Sequence, residues 1–212
     1  EDGAHEVTRL VNGVMLAFDN TTELRSVVRN APRLFPDKIE HADVAKVREA
    51  FSKLAEDTER KRMAAQLELK LRAIYFDRIR LEDVEPAVHS IVRSVDTLRD
   101  MRFLLAFAKD ILPDSPEAIR GTEVKASLLR LREKRKEARL AAMHVLARAL
   151  STKYPDREPD DINSMVKQVV KPLKDPNQIR ALASDVDSLF PTEFATINPR
   201  TVLKRFQESQ II

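Results

Sequence analysis

The sequence predicts an all-helical repeat array: two full modules and one partial module of about 78 residues, elongated, with long helices linking adjacent bundles. Three observations predict it. The composition favours helices, with three glycines in 212 residues, 5% aromatics and abundant Leu, Ala, Arg, Lys and Glu. Apolar residues recur at i, i+3, i+4 and i+7, the spacing of one helix face. The same apolar, arginine and proline columns also return three times without a gap.

The first helix is expected near 5–18, where Val11, Val14, Met15 and Phe18 form the apolar stripe. Asp19-Asn20-Thr21-Thr22 ends it, since short polar side chains bind nearby backbone groups and favour caps over helix interiors. A second helix follows near 22–34 and stops at Leu34-Phe35-Pro36. Proline has no N–H to continue the ladder and pushes the residue before it into extended conformation. A long helix near 42–75 then starts from Asp43 as its N-cap.

The pattern then restarts. Val88, Ile91, Val92 and Val95 repeat the stripe, and Ile111-Leu112-Pro113 repeats the stop. Asp96-Thr97-Leu98-Arg99 contains no breaker, so one continuous helix is expected over 83–112. The next long helix, near 122–152, starts at Gly121-Thr122. In the third copy Val166, Val169, Val170 and Leu173 mark a helix near 159–173, ended by Asp175-Pro176. A helix near 176–189 runs to the stop Leu189-Phe190-Pro191, and the last, near 199–209, has Asn198 as N-cap and Pro199 in the first position.

The register is shared throughout. Leu24, Arg25 and Val27 align with Met101, Arg102 and Leu104, then with Ile179, Arg180 and Leu182. Each stop proline lies 25 residues after Val11, Val88 or Val166, and 11 residues before Val47, Val124 or Val202. Phe51, Leu128 and Phe206 follow in one column. Met63, Leu67, Leu71 and Tyr75 correspond to Ala142, Leu146, Leu150 and Tyr154 at a slightly shifted offset. The expected modules are 1–80, 81–157 and a partial third at 158–212. The hydrophobic residues at the three stops are expected to fold back onto the core.

Composition narrows the chemistry. With 37 Lys and Arg against 34 Asp and Glu, the net charge of +3 describes a mixed surface, not a polycation. Glycines only at 3, 13 and 121 leave no phosphate-cradling loop or dinucleotide fingerprint. His5, His41, His89 and His144 lack metalloprotease spacing, and most carboxylates sit at pairing distance from Lys or Arg, so no cofactor, metal or catalytic residue is expected. Cysteine is absent, which removes disulfides and thiolate nucleophiles and suits the cytoplasm as well as a disulfide-free secreted protein. No apolar stretch approaches a membrane span, and a start at Glu1 reads as a processed form or excised fragment, compatible with prior removal of a targeting segment.

One polar feature stands out. Arg130, Arg132, Lys134, Arg135, Lys136 and Arg139 form a basic run on the long helix of the middle copy, echoed by Arg60, Lys61 and Arg62. Glu133 and Glu137 are interleaved with it and no aromatic residues are present to stack bases, so a solvated helix face is favoured over a phosphate-binding surface. The expected function is a non-enzymatic scaffold or adaptor that binds a protein partner through a surface formed across modules. Nucleic-acid or anionic-phosphate binding through the basic run is the alternative.

Overall fold

In the computed structural model, which describes residues 2–18, 20–36 and 42–209, every regular element among them is helical. The chain opens with α1 (Asp2–Ala17), α2 (Thr21–Arg29), α3 (Ala31–Leu34) and α4 (Val44–Tyr75). Then come α5 (Leu81–Ser94), α6 (Leu98–Ala106), α7 (Ala108–Ile111), a 3-10 turn at Pro116–Ala118 and α8 (Gly121–Lys153). Last are α9 (Pro159–Val170), α10 (Pro176–Ser184), α11 (Val186–Leu189), a 3-10 turn at Phe194–Thr196 and α12 (Pro199–Ser209). The elements α5 to α8 begin 78 residues before α9 to α12 one for one, and α2, α3 and α4 begin 77 residues before α6, α7 and α8. Asp19 and His41 lie outside the described residues. None of the described helices is long and apolar enough to cross a membrane.

Local chemistry explains the boundaries. Asn20, Thr97 and Asp175 cap α2, α6 and α10, accepting from the backbone N–H of Glu23 at 2.8 Å, Asp100 at 3.1 Å and Asn177 at 3.0 Å. Asp43 accepts from Ala45 N–H at 2.8 Å to start α4, and Asn198 from Arg200 N–H at 3.0 Å to start α12. At the stops, Phe35, Leu112 and Phe190 are all extended, with ψ of 141°, 146° and 141°, as the following proline requires. Leu112 and Phe190 are buried, while Phe35 is half-buried against the first core.

The continuous helix expected over 83–112 is not formed. α5 ends at Ser94, Val95 is extended, and α6 starts after Thr97. Two interactions account for the break. Thr97 and Asp100 form a reciprocal cap, with Asp100 N–H donating to Thr97 Oγ1 and that hydroxyl donating to Asp100 Oδ2 at 2.9 Å. From α4, the Arg60 guanidinium donates to the carbonyls of Val92 (3.3 Å), Val95 (2.9 Å) and Asp96 (2.6 Å), replacing the helical partners those groups lose. Lys125 adds an ion pair to Asp96 at 2.7 Å. A second difference is smaller: the helices expected over 22–34 and 176–189 are each interrupted one turn before their end, at Asn30 and Asp185.

The chain divides into two compact units, Glu1–Lys125 and Ala126–Ile212. In the first, Val14 and Phe18 of α1, Val27 of α2, Leu34 of α3 and Val47 of α4 form one core, with Phe18 and Phe51 edge to face at 5.1 Å between ring centroids. Farther along α4, the side chains of Met63, Leu67, Leu71 and Tyr75 are buried where this helix packs on α5 and α6. In the second unit Ala142, Leu146, Leu150 and Tyr154 share a core with Ile162, Val166, Val169 and Val170 of α9, with residues of α10 and α11, and with Val202 and Phe206 of α12. Each fully buried Leu contributes about 1.5–3 kcal/mol by leaving water.

Two glycines lie at close helix approaches. A Cβ on Gly121 would stand 2.2 Å from the Ser90 carbonyl oxygen, so only glycine lets the start of α8 meet α5. Seventy-seven residues earlier the small residue is on the other partner: a Cβ on Gly13 of α1 would meet Val44 Cγ2 of α4 at 2.8 Å.

Candidate interaction surface

The basic run lies on α8, and its members have separate roles. Arg139 is half-buried and donates to the Val170 carbonyl at 3.0 Å, at the C-terminal end of α9, where a cation also opposes the negative end of the helix dipole. Its Nε is buried without a hydrogen-bond partner. Lys136 pairs with Glu133 at 2.9 Å, and this carboxylate, through hydrogen bond and charge, raises the lysine's pKa. Arg132 and Arg135 are half-buried and engaged, whereas Arg130 and Lys134 are exposed. The six residues therefore differ in burial and in partners. The sequence counterpart of Arg139 is Arg60, whose guanidinium also closes a helix end instead of facing solvent.

A cleft of about 540 Å³ opens in the first unit between α5 and the 113–120 loop. Arg78, Arg80 and Arg120 line it together with Asp83 and Glu117. All three arginines already have acceptors. Arg78 donates to the Asp114 carbonyl at 3.2 Å, Arg80 pairs with Asp83 at 2.8 Å and Glu82 at 3.1 Å, and Arg120 donates to the carbonyls of Glu117 and Ile119. The Ser115 hydroxyl, with help from Arg78 and Arg80, holds the Glu117 carboxyl below the usual carboxylate range. Ser90, which also lines the cleft, accepts from Gly121 N–H at 3.1 Å. His5, His89 and His144 are exposed, and no group of three His, Asp or Glu among the described residues could hold a metal ion.

A different feature sets the first bundle apart. Val7, Val11 and Met15 form an i, i+4, i+8 row on α1 and are 42%, 50% and 58% exposed, and Val28 of α2 is 75% exposed. Matching positions elsewhere are covered. Val84 of α5 and Ile162 of α9, both at the Val7 position, are buried, as are Val166 and Val170 at the Val11 and Met15 positions of α9. Val88 and Val92 of α5 are half-buried. Leu105 and Ala183, at the Val28 position, are also buried. Val7, Val11 and Met15 of α1 and Val28 of α2 are thus exposed, while their sequence-matched counterparts are buried or half-buried; exposed apolar surface of this kind marks an interaction site where it is contiguous.

Sequence reading missed this asymmetry because the three stripes look alike. It also missed the polar ends of the covered faces. Tyr75 donates to the Pro113 carbonyl and Tyr154 to the Pro191 carbonyl, and burial raises the pKa of both phenols. The recurring Tyr, 38 and 37 residues before the two stop prolines, was the available signal. Compared with family models, curated proteins and solved structures, the chain matches none.

Proposed function

We propose that this chain is a non-enzymatic scaffold of tandem helical modules, each about 78 residues long, that binds a protein partner. The proposed modules are 1–80, 81–157 and a partial third at 158–212. Equal spacing between element starts, matching caps and extended pre-proline residues support a repeated unit. The observation that carries the binding role is the exposed row Val7, Val11 and Met15 on α1, together with exposed Val28 on α2, at positions whose sequence-matched counterparts are covered. Removing such apolar surface from water contributes about 25 cal/mol per Å², and a protein partner offers the complementary apolar surface.

The test is site-specific photo-cross-linking in the cells that make the protein. With the cross-linker at Met15, one partner is expected, identified by mass spectrometry, and it is lost when Val11→Asp is introduced. A cross-linker at exposed Lys134 serves as the comparison. The reading fails if Met15 captures nothing, or captures the same proteins as Lys134.

A further inference from the structure

The uncovered face has two covered counterparts in the same chain, and those define its occupant. On α5 and α6 lie Met63, Leu67, Leu71 and Tyr75 of α4, and Ala142, Leu146 and Leu150 of α8, with Tyr154 directly after its end, share the core of α9 and α10. In both cases four side chains spaced four apart are buried. Three residues before the first of them an arginine closes the end of the facing helix: Arg60 on Val92, Val95 and Asp96, and Arg139 on Val170. At the other end the tyrosine hydroxyl donates to the carbonyl of the stop proline, Pro113 or Pro191. Arginine and tyrosine are thus 15 residues apart in each case, about 22 Å of α-helix. They act as polar pins at the two ends of an apolar row.

By register, the first bundle has residues at the positions of these acceptors. Met15 and Phe18 occupy the positions of Val92 and Val95, and Pro36 that of Pro113. The positions that match the covered residues of α5 and α6, Val7, Val11, Met15 and Val28, are exposed. We propose that this face seats an amphipathic helix of a partner protein with the pattern Arg-x2-Φ-x3-Leu-x3-Leu-x3-Tyr, where Φ is apolar. Its arginine closes the C-terminal end of α1 and its tyrosine reaches the Pro36 carbonyl. The inference rests on the tandem-module reading and names the chemistry of the partner that reading requires.

The experiment uses the full chain and a fluorescent peptide with the sequence of its own residues 59–78, read by polarisation. Saturable binding is expected, weakened at least tenfold by Val11→Asp with Met15→Asp in the chain, which circular dichroism should show to be folded because both positions are exposed. A peptide with Leu67→Asp and Leu71→Asp should not bind, and one with Arg60→Gln should bind about tenfold more weakly. Three outcomes overturn the proposal. The first is no binding. The second is binding untouched by the α1 substitutions, which marks exchange with the chain's own α4. The third is a dimer, seen by sedimentation and abolished by Val11→Asp, which makes a second copy the occupant. If Met15 still cross-links a partner while the peptide fails, the scaffold reading stands and the helix pattern falls.

Discussion

Gly121→Ala tests the helix crossing that starts α8. On helix propensity alone the change should help, since alanine is favoured over glycine by about 0.5–1 kcal/mol within a helix. The structure reverses the sign. The added Cβ would lie 2.2 Å from the Ser90 carbonyl oxygen, 2.3 Å from Ser94 Oγ and 2.8 Å from the Ser90 carbonyl carbon. Two of those atoms are backbone of α5 and cannot rotate away, so the helices must separate by about 1 Å to restore ordinary contact. Overpacking of this kind costs about 1–3 kcal/mol, and parting the helices also weakens the Gly121 N–H to Ser90 Oγ bond, worth about 1 kcal/mol. After the propensity gain the net loss is about 2 kcal/mol, or about 4–8 °C in Tm for a chain of this size. Urea and thermal unfolding followed at 222 nm measure it. Gly13→Ala is the paired comparison, because its Cβ meets only the Val44 Cγ2 methyl, which can turn aside, and stability should stay within about 1 kcal/mol of the parent. If Gly121→Ala is as stable as the parent, or less damaging than Gly13→Ala, the close approach has been misread.

Arg60→Met should destabilise the chain by about 1.5–3 kcal/mol and exceed Arg139→Met, since Arg60 serves three carbonyls and Arg139 one; urea midpoints that rank the other way refute the helix-closing role. Burial raises the pKa of Tyr75, with Asp114 adding to the rise and Arg78 opposing it, and burial with Asp187 raises that of Tyr154. Both folded values lie above the unfolded value near 10, so this stabilisation is complete below that pH and is lost as pH rises through the folded values. With two tyrosines and no tryptophan, absorbance at 295 nm reports these groups alone; native midpoints equal to those in urea would refute the shift. Deleting residues 76–154 joins Tyr75 to Pro155 and, on the tandem-module reading, lets α4 cover α9 in place of α8. A cooperative helical melt is expected, and a molten product counts against the repeat.

The all-helical class, the caps at Asp43 and Asn198, the breaks at Asn20 and Asp175 and the three stops were legible because each depends on neighbours within a few residues. Asn20, Asp43, Asp175 and Asn198 reach backbone N–H groups two or three positions away, and each stop proline acts on the residue before it. The break at Val95 was not legible. Thr97 supplies a local cap, but the carbonyls it exposes are satisfied by Arg60, 32 to 36 residues earlier. A contact of similar range holds one member of the basic run. Its most regular member by register, Arg139, binds a helix end, while Arg130 and Lys134 remain at the surface.

Periodicity determined which side of each helix is apolar, and it did so equally for Val11 and Met15, for Val88 and Val92, and for Val166 and Val170. Only the tertiary structure decided that the first pair meets water, the second is half-covered and the third is buried. An apolar stripe is a property of one helix, encoded by residue spacing along the chain. Burial belongs to two surfaces, and the second is supplied by a helix whose place in space no local pattern records.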